Sequence, residues 1–393
     1  MNVAHPASLP EGADLRLRGT PAPRVAGLPP PLFAPAQAPL LTDVEFQGPG
    51  FYRLWHGLGL QGRLRFMRRV MQVGCEVAGG TAIDLVGRHL SRADSGILRI
   101  ADGAQAQLGA RQVALYAHYC ASGRVSSMVL RQLRAYAAAG FAVVFVTMSP
   151  EISAADWAAV AQTTALLVHR RNHGLDFGAW RELSGVLAER WPDADELLLV
   201  NDSVLGPIRP LEPVFAALRS GGEGLFGLTD SCQGGAHLQS YFLLGRGRAT
   251  VAEMLAFLRA APISTSKWLM VQRCEMGLSR HMHASGHRVA ALYGYHRLIA
   301  AINAHPAVGL AHLVPEASRR PARDPILPDR PLNPVHHLWR PLVSLLGFPF
   351  LKIELVRRNP GRLPHIGSWT TLVGPDSPCP AAMLATHLAE IGP

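Results

Sequence analysis

The segment QVALYAHYCASGRVSSMVLRQLRAYAAAGFAVVFVT, residues 112–147, decides the fold class of this chain. It begins with a short apolar run at 113–118, continues with a helical pattern over 125–139 that stops at Gly140, and ends with a β-branched run at 141–147. Two apolar strands that flank a helix form a parallel pair with a right-handed crossover. The segment therefore predicts a βαβ unit in a parallel sheet.

The same alternation of helix and strand continues downstream of this unit. We predict helices over 154–162 and 179–190, and strands over 165–169 and 197–200. Strands that are apolar throughout are typical of a sheet covered by helices on both faces. The predicted fold is α/β, with a mostly parallel, Rossmann-like sheet in a central domain at 111–300.

The N-terminal part of the chain has a different composition. Residues 1–45 are rich in Pro and Ala and predict a disordered leader, because such a segment cannot build a packed core. Within 46–110, apolar residues and arginines alternate between Phe51 and Val73 in a basic amphipathic pattern that glycines interrupt. This segment is either an anchor on a membrane surface or a helix docked on the central domain, and the glycines favour the docked helix.

The C-terminal part, residues 301–393, is predicted to be a Pro-rich linker followed by a helical extension. Two short helices are expected there, at 336–346 and 350–358. Pro341 is expected to divide or bend the first helix, and the Asn-Pro-Gly sequence after the second is expected to end it.

Charge and cysteine usage restrict the partners and the compartment. The net charge is +10, from 38 Lys and Arg against 28 Asp and Glu, and nearly all of the basic residues are arginine, which suits phosphate groups. Nucleic acid is disfavoured, because the arginines are dispersed and no aromatic-rich RNA motif accompanies them. The five scattered cysteines, together with the lack of a signal-peptide pattern or a long apolar stretch, predict a cytoplasmic protein with reduced thiols.

The first polar cluster follows the strand at 165–169 and precedes the next helix. Its candidate ligand-binding residues are Arg171, Asn172, Gly174 and Asp176. In open α/β sheets ligands bind beyond the carboxyl ends of the strands, where glycine lets backbone approach a ligand and a helix N-terminus attracts phosphate. An ordinary βα turn with an Asp cap is the alternative.

The second cluster, Asn201, Asp202 and Ser203, follows the strand at 197–200. A carboxylate at this edge can hold a divalent cation, Mg²⁺ or Mn²⁺, which would act as a Lewis acid on a diphosphate leaving group. The alternative is a capping Asp in a turn.

Two further clusters are expected at the same edge of the sheet. Asp230, His237, Gln239 and Ser240 could bind phosphate or sugar hydroxyls, although a lone histidine is more often structural. Glu275 is expected in the first turn of a helix, from which it could take a proton from an attacking hydroxyl. A glutamate in a first turn is also favoured by the helix dipole alone.

Seven ordered blocks between residues 110 and 365 resemble the rhamnan synthesis protein F family. They are AHYCASGRVSSMV, RRNHGLDFGAW, LLLVNDSVLGP, GLTDS, HLQSYFLL, CEMGLSRHMHASG and NPVHHLWRPLVSLLGFPFLKIELVRRNP. The resemblance implies a GT-A-like glycosyltransferase that uses a nucleotide sugar such as dTDP-rhamnose to build a cell-surface polysaccharide, for example a lipopolysaccharide O-antigen.

The resemblance also implies roles for individual residues. Asn172, Gly174 and Asp176 would recognise the donor, Asp202 would hold the metal at the diphosphate, and Glu275 would be the acceptor base. Departures from the family pattern are Asn201 and Ser203 around Asp202, where GT-A enzymes carry Asp-x-Asp, and Cys120 and Met276, each at a position where an acid is expected.

The expected function is thus inverting transfer of rhamnose or a related deoxysugar to a polysaccharide or a lipid-linked glycan. Peripheral contact with the inner membrane stays open. The alternative is a non-catalytic glycan-binding or assembly protein that keeps the same fold.

Overall fold

The computed structural model describes residues 41–46, 60–90, 96–106, 109–264, 266–305, 332–360 and 363–392. The predicted leader therefore lies outside the described residues except for its last five positions. Within the predicted linker and C-terminal extension at 301–393, residues 306–331 also lie outside them.

Thirteen strands occur in the described residues. In chain order they are β1 Thr42–Asp43, β2 Ile97–Asp102, β3 Gln112–His118, β4 Ala142–Thr147, β5 Leu166–Arg170, β6 Glu196–Asn201, β7 Val204–Leu205, β8 Gly224–Gly227, β9 Asp230–Ser231, β10 His237–Leu238, β11 Phe242–Arg246, β12 Val289–Ala291 and β13 Leu351–Lys352.

Thirteen α-helices accompany them, α1 Leu60–Leu90, α2 Ser127–Ala138, α3 Ala154–Ala161, α4 Leu175–Arg190, α5 Glu212–Arg219, α6 Arg248–Ala260, α7 Lys267–Met270, α8 Met276–Ala284, α9 Tyr295–Ala304, α10 Pro334–His337, α11 Trp339–Leu346, α12 Ile353–Arg358 and α13 Ala381–Glu390. A π-helical turn, Val271–Glu275, joins α7 to α8, and a 3-10 segment spans Ile366–Leu372.

Nine of the strands form one mixed, mostly parallel sheet, in the order β1-β12-β8-β11-β6-β3-β4-β5-β2. Six of them, β3, β4, β5, β6, β8 and β12, run in one direction, whereas β1, β2 and β11 run in the other. The carboxyl ends of β3, β5 and β6 therefore lie at one edge. The predicted α/β class is confirmed.

Both faces of the sheet are covered by helices. Along β3, Ala114 and Tyr116 belong to one apolar cluster with residues of α2, α5 and α11, whereas Val113, Leu115 and Ala117 belong to a second with residues of α4, α6 and α8. Side chains that alternate between two buried faces explain why β3 is apolar over 113–117.

The sheet extends beyond the 111–300 span expected for the central domain. β1 pairs with β12, and β2 pairs with β5, so both outer strands come from earlier parts of the chain. The helix α1 contacts the protein where Glu76 Oε1 accepts hydrogen bonds from Ser266 Oγ at 3.2 Å and from the Trp268 backbone N–H at 3.3 Å. Among the described residues, no helix combines the length and apolar character needed to cross a bilayer.

Two predicted helices differ from the structure at their N-terminal ends. The helix expected over 350–358 begins only at Ile353, because Leu351 and Lys352 form β13, which pairs antiparallel with β7. The helix expected over 336–346 is interrupted at Leu338, between α10 and α11. Pro341 accounts for this break, because it lacks the N–H that would bond to the fourth preceding carbonyl.

The prediction that a helix opens at Glu275 is wrong. Helical structure runs from Lys267 through the π turn to Ala284, so Glu275 lies in its middle. The helix-dipole explanation for a glutamate at this position therefore does not apply.

Candidate functional site

A cleft of about 820 Å³ opens at the carboxyl edge of the sheet. Its lining includes eight of the twelve residues predicted from the sequence: Asp176, Asn201, Asp202, Ser203, His237, Gln239, Ser240 and Glu275. Residues that are distant in the chain thus meet where parallel strands end, which is where ligands bind in sheets of this kind.

Asp202 is fixed between the ends of β6 and β3. Its backbone N–H donates to the Ala117 carbonyl at 3.2 Å, and its Oδ2 accepts a hydrogen bond from the Tyr119 backbone N–H at 2.8 Å. The Nε2 of His118 lies 4.0 Å from the same oxygen, but burial lowers the pKa of His118 to about 3. The imidazole is therefore neutral, and it does not offset the charge of Asp202.

A chain of hydrogen bonds links Asp176 to a lysine from the C-terminal extension. Lys352 Nζ donates to Ser203 Oγ at 2.7 Å, Ser203 Oγ donates to Asn201 Oδ1 at 2.5 Å, and Asn201 Nδ2 donates to Asp176 Oδ2 at 2.7 Å. Asn201 therefore orients Asp176, and Ser203 links Asn201 to Lys352.

The pKa values of Asp176 and Asp202 are both raised. Burial raises the pKa of Asp176 to about 6, against the lowering effects of Lys352 and the Asn201 hydrogen bond. Burial, together with the neighbouring charge of Asp176, raises the pKa of Asp202 to about 7, against the Tyr119 hydrogen bond. Carboxyl groups with raised pKa values in a cleft are typical of sites that bind cations or move protons.

Glu275 faces the cleft from the π turn. Its Oε1 accepts a hydrogen bond from the Ser240 backbone N–H at 3.1 Å and lies 3.9 Å from His237 Nε2. His237 Nδ1 lies 2.7 Å from the Gly235 carbonyl, which can only accept, so Nδ1 carries the proton in the neutral ring. The Nε2 of the neutral ring is then an acceptor that faces Glu275.

Four predicted residues do not line the cleft. Arg171 and Asn172 are exposed on the loop before α4, and Gly174 is the buried residue that begins this helix, with φ at 77°. Asp230 is buried and accepts a hydrogen bond from the Tyr295 backbone N–H at 2.6 Å, at the start of α9. Gly174 and Asp230 thus support the architecture of the site, whereas Arg171 and Asn172 lie outside it on the surface.

Gln239 lines the cleft, but its amide also holds neighbouring elements. Its Oε1 accepts a hydrogen bond from Thr229 Oγ1 at 2.8 Å, and its Nε2 donates to Asn333 Oδ1 at 3.3 Å. Since Asn333 caps α10, Gln239 ties the C-terminal extension to the sheet edge.

Several lining residues come from distant segments and were not predicted from the sequence, among them Tyr119, Lys267, Asn333, His336, Lys352, Glu354, Arg357 and Arg358. A compositional signal was available for two of them. Lys267 and Lys352 are the only lysines in the sequence, and both line this cleft.

Asp176 and Asp202 are residues of the cleft that could hold a divalent cation together with a ligand. Oδ2 of Asp176 accepts a hydrogen bond from Asn201 Nδ2, and Oδ2 of Asp202 accepts one from the Tyr119 backbone N–H. No group of three or more His, Cys, Asp or Glu side chains suited to a metal occurs in the part of the chain that the structure describes. A cation here would complete its coordination with phosphate oxygens and water, as Mg²⁺ commonly does.

Comparison with protein families supports the resemblance found in the sequence. Residues 143–308 match the model of a family described as rhamnan synthesis protein F. The match lies inside the 110–365 region over which the sequence blocks show the resemblance, and it confirms the resemblance there. It includes the segments of Asp176, Asp202 and Glu275.

Individual relatives align over part of their length. The chain is 29% identical over 208 residues to virulence protein VirA of Vibrio anguillarum, an alignment that covers 51% of this chain and 65% of that protein. It is 27% identical over 180 residues to the uncharacterized protein y4gN of Sinorhizobium fredii, covering 44% of this chain and 46% of that protein. The chain thus spans about half to two thirds of these relatives.

Among solved structures, a crystal structure of an active-site mutant of LgtC is similar, with 14% sequence identity and a TM-score of 0.24. That similarity covers 42% of this chain and 71% of the LgtC chain.

Proposed function

We propose that this protein is an inverting glycosyltransferase of GT-A type. It would transfer rhamnose or a related deoxysugar from a nucleoside diphosphate donor to a growing cell-surface polysaccharide or lipid-linked glycan, such as an O-antigen. The observation that carries this proposal is the convergence of Asp176, Asp202 and Glu275 on one cleft at the carboxyl edge of the sheet. The family match over 143–308 supports the class of reaction.

Glu275 is the proposed base. Since Oε1 is held by the Ser240 N–H, the carboxylate has a fixed position, and its other oxygen can take the proton of the acceptor hydroxyl. The acceptor oxygen forms a bond to the anomeric carbon, and the bond from that carbon to the diphosphate oxygen breaks. The electron pair leaves with the diphosphate.

The increase in negative charge on the diphosphate requires positive charge nearby. Asp202, with Asp176, would hold Mg²⁺ or Mn²⁺, which supplies Lewis-acid stabilisation of the leaving group when bound. Leu175, Asp176 and Phe177 form the first turn of α4 and line the cleft, so the positive end of this helix also faces the proposed phosphate position.

Turnover of nucleotide sugars tests this proposal. We expect the wild type to release a nucleoside diphosphate from one donor of a panel that includes dTDP-rhamnose. Asp202→Ala and Glu275→Gln should each reduce this release at least about 100-fold, the usual effect of losing an electrostatic or acid–base group. Donor binding without release in the wild type, unchanged by either substitution, would favour the alternative of a non-catalytic glycan-binding or assembly protein.

The proposed location is cytoplasmic, with α1 in peripheral contact with the inner membrane. Leu60, Leu64, Met67 and Met71 are exposed and spaced so that they share one helix face, and Arg68 is exposed near them. We expect the protein to sediment with anionic vesicles, and Leu64→Asp to abolish sedimentation without loss of donor turnover. Equal sedimentation of both proteins would remove the membrane contact from the proposal.

A further inference from the structure

Lys352 is unusual in both composition and position. The chain contains 38 basic residues, of which only Lys267 and Lys352 are lysine, and the latter lies beyond the residues that match the family. A lysine ammonium is a compact point charge with three donors, whereas arginine presents a planar fork. Both lysines of the sequence line the cleft, whereas the other 36 basic residues are arginine.

The fold fixes Lys352 beside the end of β6. β13 pairs with β7, which immediately follows Asp202 and Ser203, so Lys352 lies opposite Val204. The Ile353 backbone N–H donates to the Ser203 carbonyl at 3.1 Å, which extends this attachment. The side chain of Phe350, two residues earlier, is 1% exposed in the core and anchors the strand. The pairing of β13 with β7 and the burial of Phe350 thus hold the backbone of Lys352 beside Ser203.

The ammonium of Lys352 lacks a direct anionic partner in the described part of the chain. It donates to the neutral hydroxyl of Ser203 and lies 5.2 Å from the centre of the Tyr241 ring, and it forms no ion pair within 4.0 Å there. By contrast, Lys267 lies 3.8 Å from a Glu354 oxygen. A half-buried charge with unused donors that faces a cleft is suited to an anionic ligand.

The charged neighbours of Lys352 oppose the effect of its burial only in part. The pKa of Lys352 is lowered, with burial as the largest cause, whereas the negative charges of Glu275, Asp176 and Glu354 raise it. Lys267 lowers this pKa as well. In its protonated form, the ammonium adds a positive charge among carboxylates that would otherwise repel a diphosphate.

We propose that Lys352 is a binding residue for the diphosphate of the donor, contributed by the C-terminal extension beyond the 143–308 span of the family model. This inference rests on the proposed function. The ammonium would contact the phosphate oxygens from the β13 side of the cleft, and its charge would stabilise the departing diphosphate.

Calorimetric titration tests this inference. UDP, GDP and dTDP, each with its parent nucleoside, are titrated in the presence of Mg²⁺ into the wild type and Lys352→Met. We expect the tightest diphosphate to bind about 10- to 100-fold more weakly to the variant, the effect of losing one charged hydrogen-bonding group, while its nucleoside binds equally to both proteins. Lys352→Arg should recover part of the lost affinity, because it restores the charge.

Arg248→Met provides the control for net charge. Arg248 is exposed and paired with Asp193 at 2.9 Å on the surface, so its loss should leave diphosphate affinity within twofold. Equal diphosphate affinity in wild type and Lys352→Met would overturn the inference, and so would a parallel loss of nucleoside binding, which indicates a disturbed cleft. If the wild type binds none of the three diphosphates, the proposed function itself fails.

Discussion

Asp202→Asn should stabilise the protein at pH 8. The pKa of Asp202 is raised to about 7 in the folded state, whereas an unfolded Asp titrates near 3.9. The folded state therefore holds this proton more tightly, and stability falls as the pH rises from about 4 to about 7. A shift of about 3 units corresponds to at most about 4 kcal/mol. Asparagine removes the free-energy cost of burying the charge, and its side-chain oxygen can still accept a hydrogen bond from the Tyr119 N–H.

The experiment is urea unfolding at pH 8 and at pH 4. At pH 8 we expect Asp202→Asn to raise the free energy of unfolding by about 1 to 3 kcal/mol, and at pH 4 the gain should be below about 0.5 kcal/mol, because the wild-type carboxyl is then protonated in the fold. Asp193→Asn is the matched control, since Asp193 is 70% exposed and its change should stay within about 0.5 kcal/mol. A loss of stability at pH 8, or an equal gain at both pH values, would refute the reasoning.

The other predictions concern ionisation and packing. Turnover should increase from pH 5 to pH 8 as Asp176 and Asp202 ionise, with pKa values of about 6 and 7, and a flat profile measured by diphosphate release would contradict a need for both charges. Gly178→Ala should lower the urea midpoint, because a Cβ there would lie 2.0 Å from the His173 carbonyl oxygen. The free energy of unfolding should fall by about 1 to 3 kcal/mol. A stability equal to that of the wild type would show that α4 can shift without cost. Phe348→Ala should lower the free energy of unfolding in urea by about 3 to 5 kcal/mol, since this ring is 2% exposed between the C-terminal extension and the sheet. A decrease below about 1 kcal/mol would show that the extension packs loosely.

The sheet could be predicted because its signal is local. The strand predicted at 197–200 is β6, and the one predicted at 165–169 is β5, shifted by one residue at each end. Each is buried on both faces, so β5 is apolar over 166–168 and β6 over 197–200, and the turns that follow mark the binding edge. The same logic predicts that Asp176 and Asp202 lie at the same edge of the sheet, and both line the cleft there.

Side-chain direction and long-range pairing could not be predicted in the same way. Arg171 and Asn172 belong to the expected loop, but the loop directs them to solvent. Lys352 joins the site only through the pairing of β13 with β7, and it lies 149 positions from Ser203. Its local sequence favours helix, and the sheet contact overrides that preference.

Equilibrium binding of a nucleoside diphosphate sugar tests the central claim most directly. In calorimetric titrations with dTDP-rhamnose and a panel of other nucleotide sugars, the wild type should bind one of them at micromolar to millimolar concentration, and Asp176→Ala should weaken that binding at least about tenfold. Failure of every nucleotide sugar to bind the wild type, or binding that Asp176→Ala leaves unchanged, would contradict the assignment of this cleft as the donor site.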